Sequence, residues 1–239
     1  RLVLFALAAL GGVYAAAFAA VCWREASPRR RGAMIQAIYR SNFVLLGIPI
    51  VGNLFGDDQL AVPIMMIAVI VPIYNVLGVV TLELFRGGSY SLPHLLRGVL
   101  QNPMIRGALL GLFCLLLHIP IPAPVLKPLA HVAAATTPLA LIILGASFRF
   151  GTTVDHRPQL LACIAARLLV VPGAVLTASA LFGFWGIEFA TPCAVAGFAM
   201  AQQMDSDADL AGNAVVFTTA LSSFTLFGWI FLSKTVGLF

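Results

Sequence analysis

The sequence predicts an all-α polytopic membrane protein, and two observations carry that expectation. Of its 239 residues, 61% are hydrophobic and only 10% charged, with a mean hydropathy of +1.00. A water-facing domain carries about 25% charged residues, so this chain has too few to cover a solvated surface. The second observation is the form of the apolar runs, which are long and show no alternation. A spanning helix needs about 20 apolar residues, a barrel strand about 10 of alternating polarity. Helices satisfy every backbone group within one segment, as lipid requires.

Eight spans follow in order, at about 2–22, 34–55, 61–84, 104–119, 131–148, 160–182, 187–204 and 210–232. The first run, LVLFALAALGGVYAAAFAAVC, ends at the Arg-rich WREASPRRRGAM. The second closes at Gly56-Asp57-Asp58, and the third holds Pro72 and ends near Glu83 and Arg86. The polar stretch 87–103 reads as a linker. The fourth span is short and carries Gly107-x-x-x-Gly111, a spacing for close helix approach. The Pro-rich HIPIPAPVLKP reads as the loop before the fifth span. Arg157 precedes the sixth, and the acidic MDSDAD separates a short seventh from the eighth.

Orientation follows from the cations. Arg24, Arg29, Arg30, Arg31, Arg86, Arg97, Arg106, Arg149 and Arg157 fall on one side, and the alternate loops hold almost none. That side is cytoplasmic by the positive-inside rule, which leaves both ends of the chain outside. The expected location is the inner cell membrane, crossed many times. The net charge of +5 sets orientation and gives no nucleic-acid signal. Asp205, Asp207 and Asp209 share the basic side without overturning it, because acidic residues contribute little to the rule.

Chemistry is sparse. Cys22, Cys114, Cys163 and Cys193 lie in or beside apolar runs without CxxC spacing and read as buried small hydrophobes. His94, His118, His131 and His156 sit in loops or at span edges. Metal-protease, P-loop and GxSxG motifs are missing. No metal, cofactor or enzymatic role is expected. No charge falls clearly at mid-span; Glu83, Arg106 and Arg167 read as snorkelling near span ends.

The intramembrane amides stand out instead. Asn42 and Asn53 flank Gly47-Ile48-Pro49 in the second span, where proline removes a donor and glycine tolerates unwinding. Ser41, Asn42 and Asn53 supply polar groups beside that expected break. Asn75 lies in the third span. The seventh, with Pro192, Gly197, Gln202 and Gln203, is a second interrupted segment. Two interrupted spans in separate halves point to an inverted-repeat transporter, whose half-helix N-termini attract anions.

SNFVLLGIPIVGNLFG, NPMIRGALLGLFCLLLHIPIP, TTPLALIILGASF and TPCAVAGFAMAQQMDSDADLAGN, in this order, resemble the auxin efflux carrier family. That family comprises plant auxin carriers and bacterial permeases often linked to malate and other organic acids. The resemblance implies an inverted-repeat fold of ten helices, with two broken helices crossing at the substrate site. Eight are present here, in a single transmembrane domain. Residues 1–86 would be three helices of the first repeat and 104–239 the five of the second, joined by the cytoplasmic linker 87–103. The opening at Arg1 fits a chain that lacks two upstream helices, which in the resembling carriers form part of the scaffold and dimer contact.

By the same resemblance Asn42 faces a bound carboxylate, Gly47 and Pro49 mark the first break, Asn75 is a polar position on the next helix, and Pro192 opens the second broken helix. Gly197 falls where relatives carry proline or small polar residues. The implied function is secondary transport of a small organic anion by an elevator-like movement. Proton or sodium coupling is left open, since plant relatives can work as uniporters. The alternative is a non-transporting membrane receptor or structural subunit. Single-cysteine labelling with an impermeant reagent tests the orientation: residues 24–33 and 87–103 should react only from the cytoplasm, and residues 119–130 from outside.

Overall fold

A computed structural model describes residues 2–56, 58, 60–86, 92–148, 156–182 and 187–237, and among these the regular structure is helical apart from one isolated β-bridge. Arg149 of the orientation set lies outside the described residues. Among the described residues, five helices are long and apolar enough to cross a membrane: Leu2–Arg24, Pro63–Phe85, Ala123–Ser147, Arg157–Phe182 and Ala208–Thr235. Phe43–Phe55 and Ile105–Leu116 are shorter apolar helices.

Helix α1 (Leu2–Arg24) ends with Arg24 in its last turn, where a cation meets the negative helix terminus. The chain restarts at once as α2 (Pro28–Tyr39), with Pro28 in the first turn where a missing N–H costs nothing. Arg29, Arg30 and Arg31 therefore belong to a helix and not to the expected loop. Every residue of α2 from Gly32 to Tyr39 is buried. Around it pack α1, α4 (Ala61–Phe85) and α11 (Ala208–Thr235), with Ile35, Tyr39, Leu210 and Ala214 in the shared core. Gly32 permits the close approach to α4: a Cβ there would stand 2.9 Å from Leu82 Cδ2 and 3.2 Å from Ser206 Oγ.

The second span is not one helix broken at Gly47–Pro49. It is α2, then a non-helical Arg40–Asn42, then a π-helical turn Phe43–Gly47 running directly into α3 (Ile48–Phe55). Gly47 and Pro49 sit inside the outer half, with Pro49 in the first turn of α3. The sixth span repeats the device. In it α8 (Arg157–Ala165) passes through a π turn, Ala166–Val170, into α9 (Val171–Phe182), with Pro172 two residues past the turn. A proline ring clashes with the carbonyl four residues back, and a widened turn makes room for it. The carbonyl freed at Leu168 accepts the Trp229 indole N–H at 2.8 Å.

The linker holds a helix of its own, α5 (Leu92–Gln101), followed by α6 (Pro103–Leu116). The Pro-rich loop is shorter than expected, because α7 (Ala123–Ser147) starts inside it with Pro124 in its first turn and Pro128 and Pro138 in its body. The seventh span is a short 3-10 turn, Ile187–Ala190, an extended Thr191–Ala194, and α10 (Val195–Gln203). Much of α6 and α7 is apolar and exposed, Leu110, Leu115, Val132 and Ile142 among others. The Gly107 and Gly111 faces meet nothing within 4 Å.

Arginines of the basic side hold the acidic loop there. Arg29 Nε donates to the Asp205 carbonyl at 2.7 Å, Arg86 meets Asp205 Oδ2 at 2.9 Å, and Arg30 lies 3.7 Å from Asp207. Asp207 also caps α11, accepting the Leu210 N–H at 2.9 Å. Glu25 closes the cluster, accepting from Ser27 N–H and the Gln159 amide at 2.9 Å each, with Arg30 at 4.0 Å. Burial opposes its ionisation, yet these partners together hold its carboxyl below the usual range. A lowered folded-state pKa stabilises the protein above the unfolded value and ceases to do so as pH falls through the folded one. Glu25→Gln should therefore cost about 1 kcal/mol at neutral pH and much less under acid conditions, read as thermal midpoints in detergent.

Candidate functional site

The two interruptions meet. Asn42 N–H donates to the Pro192 carbonyl at 2.8 Å and Ala194 N–H to the Arg40 carbonyl at 3.1 Å, so Ser41 and Cys193 form an antiparallel bridge. Each non-helical segment thus satisfies backbone groups that a continuous helix would have used internally. Thr218 Oγ1 accepts the Cys193 N–H at 3.1 Å, and the Cys193 thiol donates to the Ala37 carbonyl at 2.9 Å. Cys193 is a free buried thiol, as are the other described cysteines free.

The crossing leaves two C-terminal ends pointing inward, that of α2 and that of the Ile187–Ala190 turn. Arg167, 0% exposed, answers both. Its guanidinium donates to the carbonyls of Thr191 (2.8 Å), Phe189 (3.0 Å), Ile38 (3.1 Å) and Tyr39 (3.4 Å). The expectation that Arg167 snorkels to an interface fails, because these carbonyls satisfy it in place.

On the other side of the crossing a cavity of about 530 Å³ opens. The N-terminal ends of Phe43–Phe55 and of α10 face it, with α4 and the Thr136 and Thr137 face of α7 completing the wall. Arg40 projects into it, 4% exposed, donating to Asn75 Oδ1 at 2.6 Å and to Met200 Sδ at 2.7 Å. Among the described residues no carboxylate pairs with it. Ten residues separate Arg40 from Arg30, about 15 Å of helix, or half of a hydrocarbon core about 30 Å thick. With Arg30 taken as the level of the membrane surface, Arg40 is thus a cation at mid-membrane depth, which the sequence reading did not expect. Gly78 leaves it room: a Cβ there would lie 3.1 Å from Arg40 Nη1 and 2.8 Å from Met200 Cε.

Ser41, Asn42 and Asn75 line this cavity together, and Ser41 Oγ shares a 2.9 Å hydrogen bond with the Tyr74 hydroxyl. Among the described residues the Asn42 amide group has no protein partner, and it stands free toward the cavity. Pro192 contributes its carbonyl to the crossing. Gly197 is buried in the first turn of α10, behind the wall and near the Gln36 side chain. Gln36 itself is 2% exposed with neither amide atom bonded. Gly47, Pro49, Asn53 and Gln202 do not line the cavity; Pro49, Asn53 and Gln202 are exposed. Gln203, not Gln202, reaches it, and also lines a neighbouring cavity of about 420 Å³ with Glu83, Arg86 and Arg97.

A family model described as "Membrane transport protein" matches residues 89–230, more than half of the chain. The chain belongs to the membrane transport protein family. Comparison with the curated proteins gives no match. This membrane transport protein is a multi-pass helical protein of a transporter family and not an enzyme, and among its described residues no His, Cys, Asp or Glu group could hold a metal. The match agrees with the auxin-efflux-carrier superfamily in general.

Sequence reading missed Arg40 altogether, gave Arg167 an interfacial place, and named Gln203 without choosing it as a contact. One signal for the first was present: Arg40-Ser41-Asn42 is a polar tripeptide inside an apolar stretch, and starting the span at Pro28 places it at mid-depth. Arg167→Met should remove the hydrogen bonds to four buried carbonyls, and a buried acceptor left unpaired costs about 1–3 kcal/mol. Detergent thermal midpoints should fall steeply for Arg167→Met and less for Arg167→Lys, which keeps one charged donor.

Proposed function

We propose that this protein is a secondary carrier of small organic anions, with malate and related carboxylates as the substrate class, in the inner cell membrane. The observation that carries the proposal is Arg40: a buried cation, without a protein carboxylate among the described residues, in a cavity faced by two half-helix N-termini. Helix N-termini favour anions through their free N–H groups and dipoles. Arg40 would bind one carboxylate, Asn42 would read a remaining oxygen, and Ser41 and Asn75 would orient the pair. The apolar wall suits a short carbon skeleton.

The crossing of two interrupted helices supports the auxin-efflux-carrier type of architecture, with residues 1–86 and 104–239 as parts of two inverted repeats. The compact assembly of α1–α4 and α8–α11 would move as one body against α6 and α7 in an elevator-like cycle. The open apolar faces of α6 and α7 suit a scaffold that pairs in a homodimer. Half-helix C-terminal carbonyls hold the coupling cation in other broken-helix carriers. Here Arg167 sits on those carbonyls, which supports a cycle without sodium coupling.

The test is counterflow in proteoliposomes preloaded with malate, succinate, lactate or pyruvate. At least one should drive uptake of its own label. Arg40→Gln should weaken apparent affinity 10- to 100-fold, as loss of a charged hydrogen bond costs about 1.5–3 kcal/mol. Asn42→Ala should weaken it about tenfold, and Asn53→Ala and Gln202→Ala should leave it unchanged. Normal affinity in Arg40→Gln would sink the site assignment.

A further inference from the structure

We infer that the protein is an exchanger, which releases one carboxylate on one side of the membrane only as it takes up another on the other. The inference rests on the carrier reading above and concerns what the site does when empty. Arg40 is held by two neutral groups, the Asn75 amide oxygen at 2.6 Å and the Met200 thioether at 2.7 Å. Neither cancels its charge. The ion pairs found among the described residues all lie at the basic end of the bundle, Arg30 with Glu25 and Asp207, Arg86 with Glu83 and Asp205, and His156 with Asp207. Among the described acidic residues, Glu25, Asp205 and Asp207 lie in connections, and Glu83 and Asp209 in end turns of helices.

The second buried cation does not alter this balance. Arg167 is answered by the carbonyl ends of the two inward-pointing segments, and such ends carry partial negative charge. The cavity side has the opposite polarity. There Arg40 faces two N-terminal ends, whose partial positive charges add to its own. An empty cavity is therefore cationic at mid-membrane, and an occupied one is close to neutral.

A buried charge without a partner is strongly disfavoured. Open to water on either side, the Arg40 guanidinium can be hydrated. Between the two open states the cavity must close, and only a bound anion can then answer it. The loaded site crosses readily; the empty site returns slowly. Flux accordingly needs an anion in both directions. When a monoanion replaces a monoanion the charges balance, and no net charge crosses.

Proteoliposomes loaded with labelled malate, succinate, lactate or pyruvate test this in a chloride medium, with potassium and valinomycin clamping the potential so that charge build-up cannot limit net efflux. Adding the same unlabelled carboxylate outside should speed label loss at least tenfold over a carboxylate-free medium. Asn75→Asp places a carboxylate against Arg40 and should reduce that ratio at least fivefold, by letting the empty site return. Equal label loss with and without external carboxylate, for a probe that shows counterflow, would overturn the inference and leave the carrier reading intact. An Asn75→Asp protein that transports at the wild-type ratio would also count against it. No counterflow with any of the four probes would sink the carrier reading itself, and the inference with it.

Discussion

Everything in this bundle turns on one guanidinium. Two interrupted helical segments meet at mid-depth with their carbonyl ends converging, an arrangement that lipid would not tolerate with those groups bare. Arg167 donates to four of the carbonyls, from both segments at once. Its own burial is in turn made tolerable by the same contacts, since a buried cation needs acceptors for its donors. Neither the broken helices nor the arginine is stable alone; each removes the cost of the other.

From that clamp the rest of the site follows by polarity. A helix interrupted and resumed has two inner ends of opposite sign. With the negative ends held by Arg167, the positive ends of Phe43–Phe55 and α10 are left to face the cavity, and Arg40 adds a full charge beside them. The π turns belong to the same economy of backbone groups. Each precedes a proline by two positions, and the one around Arg167 releases the Leu168 carbonyl to Trp229. At the Arg167 turn a side chain takes up the freed group, and at the crossing the partner segment does.

Much of the fold was legible in the sequence because its cause is local. Apolar runs long enough to span were visible as such, and α1, α4 and α11 fall within a few residues of expectation. The candidate site was legible in part. Asn42, Ser41 and Asn75 were singled out as polar groups at membrane depth, and they do line one cavity. Asn53 and Gln202 satisfied the same criterion and face outward, because depth along a helix does not reveal which face meets the protein. The break was misplaced to Gly47–Pro49 for a related reason. Proline and glycine make a helix easy to interrupt, whereas the interruption occurs where a second chain segment offers hydrogen bonds, and that is at Arg40–Asn42.

By itself, then, the sequence determined the solvent, the helical class, the side on which cations gather and the existence of two weak points in the helices. Those properties are sums over residues or runs of residues, and they need no knowledge of neighbours. Only the tertiary structure decided that the weak points touch, that Arg40 and Arg167 lie buried on opposite sides of their crossing, and that one cavity collects the half-helix N-termini. Whether a buried arginine is tolerated depends on acceptors more than a hundred residues away in the chain, as Arg167 shows with Ile38 and Tyr39. Long-range hydrogen bonding of that kind leaves no trace in hydropathy or local pattern.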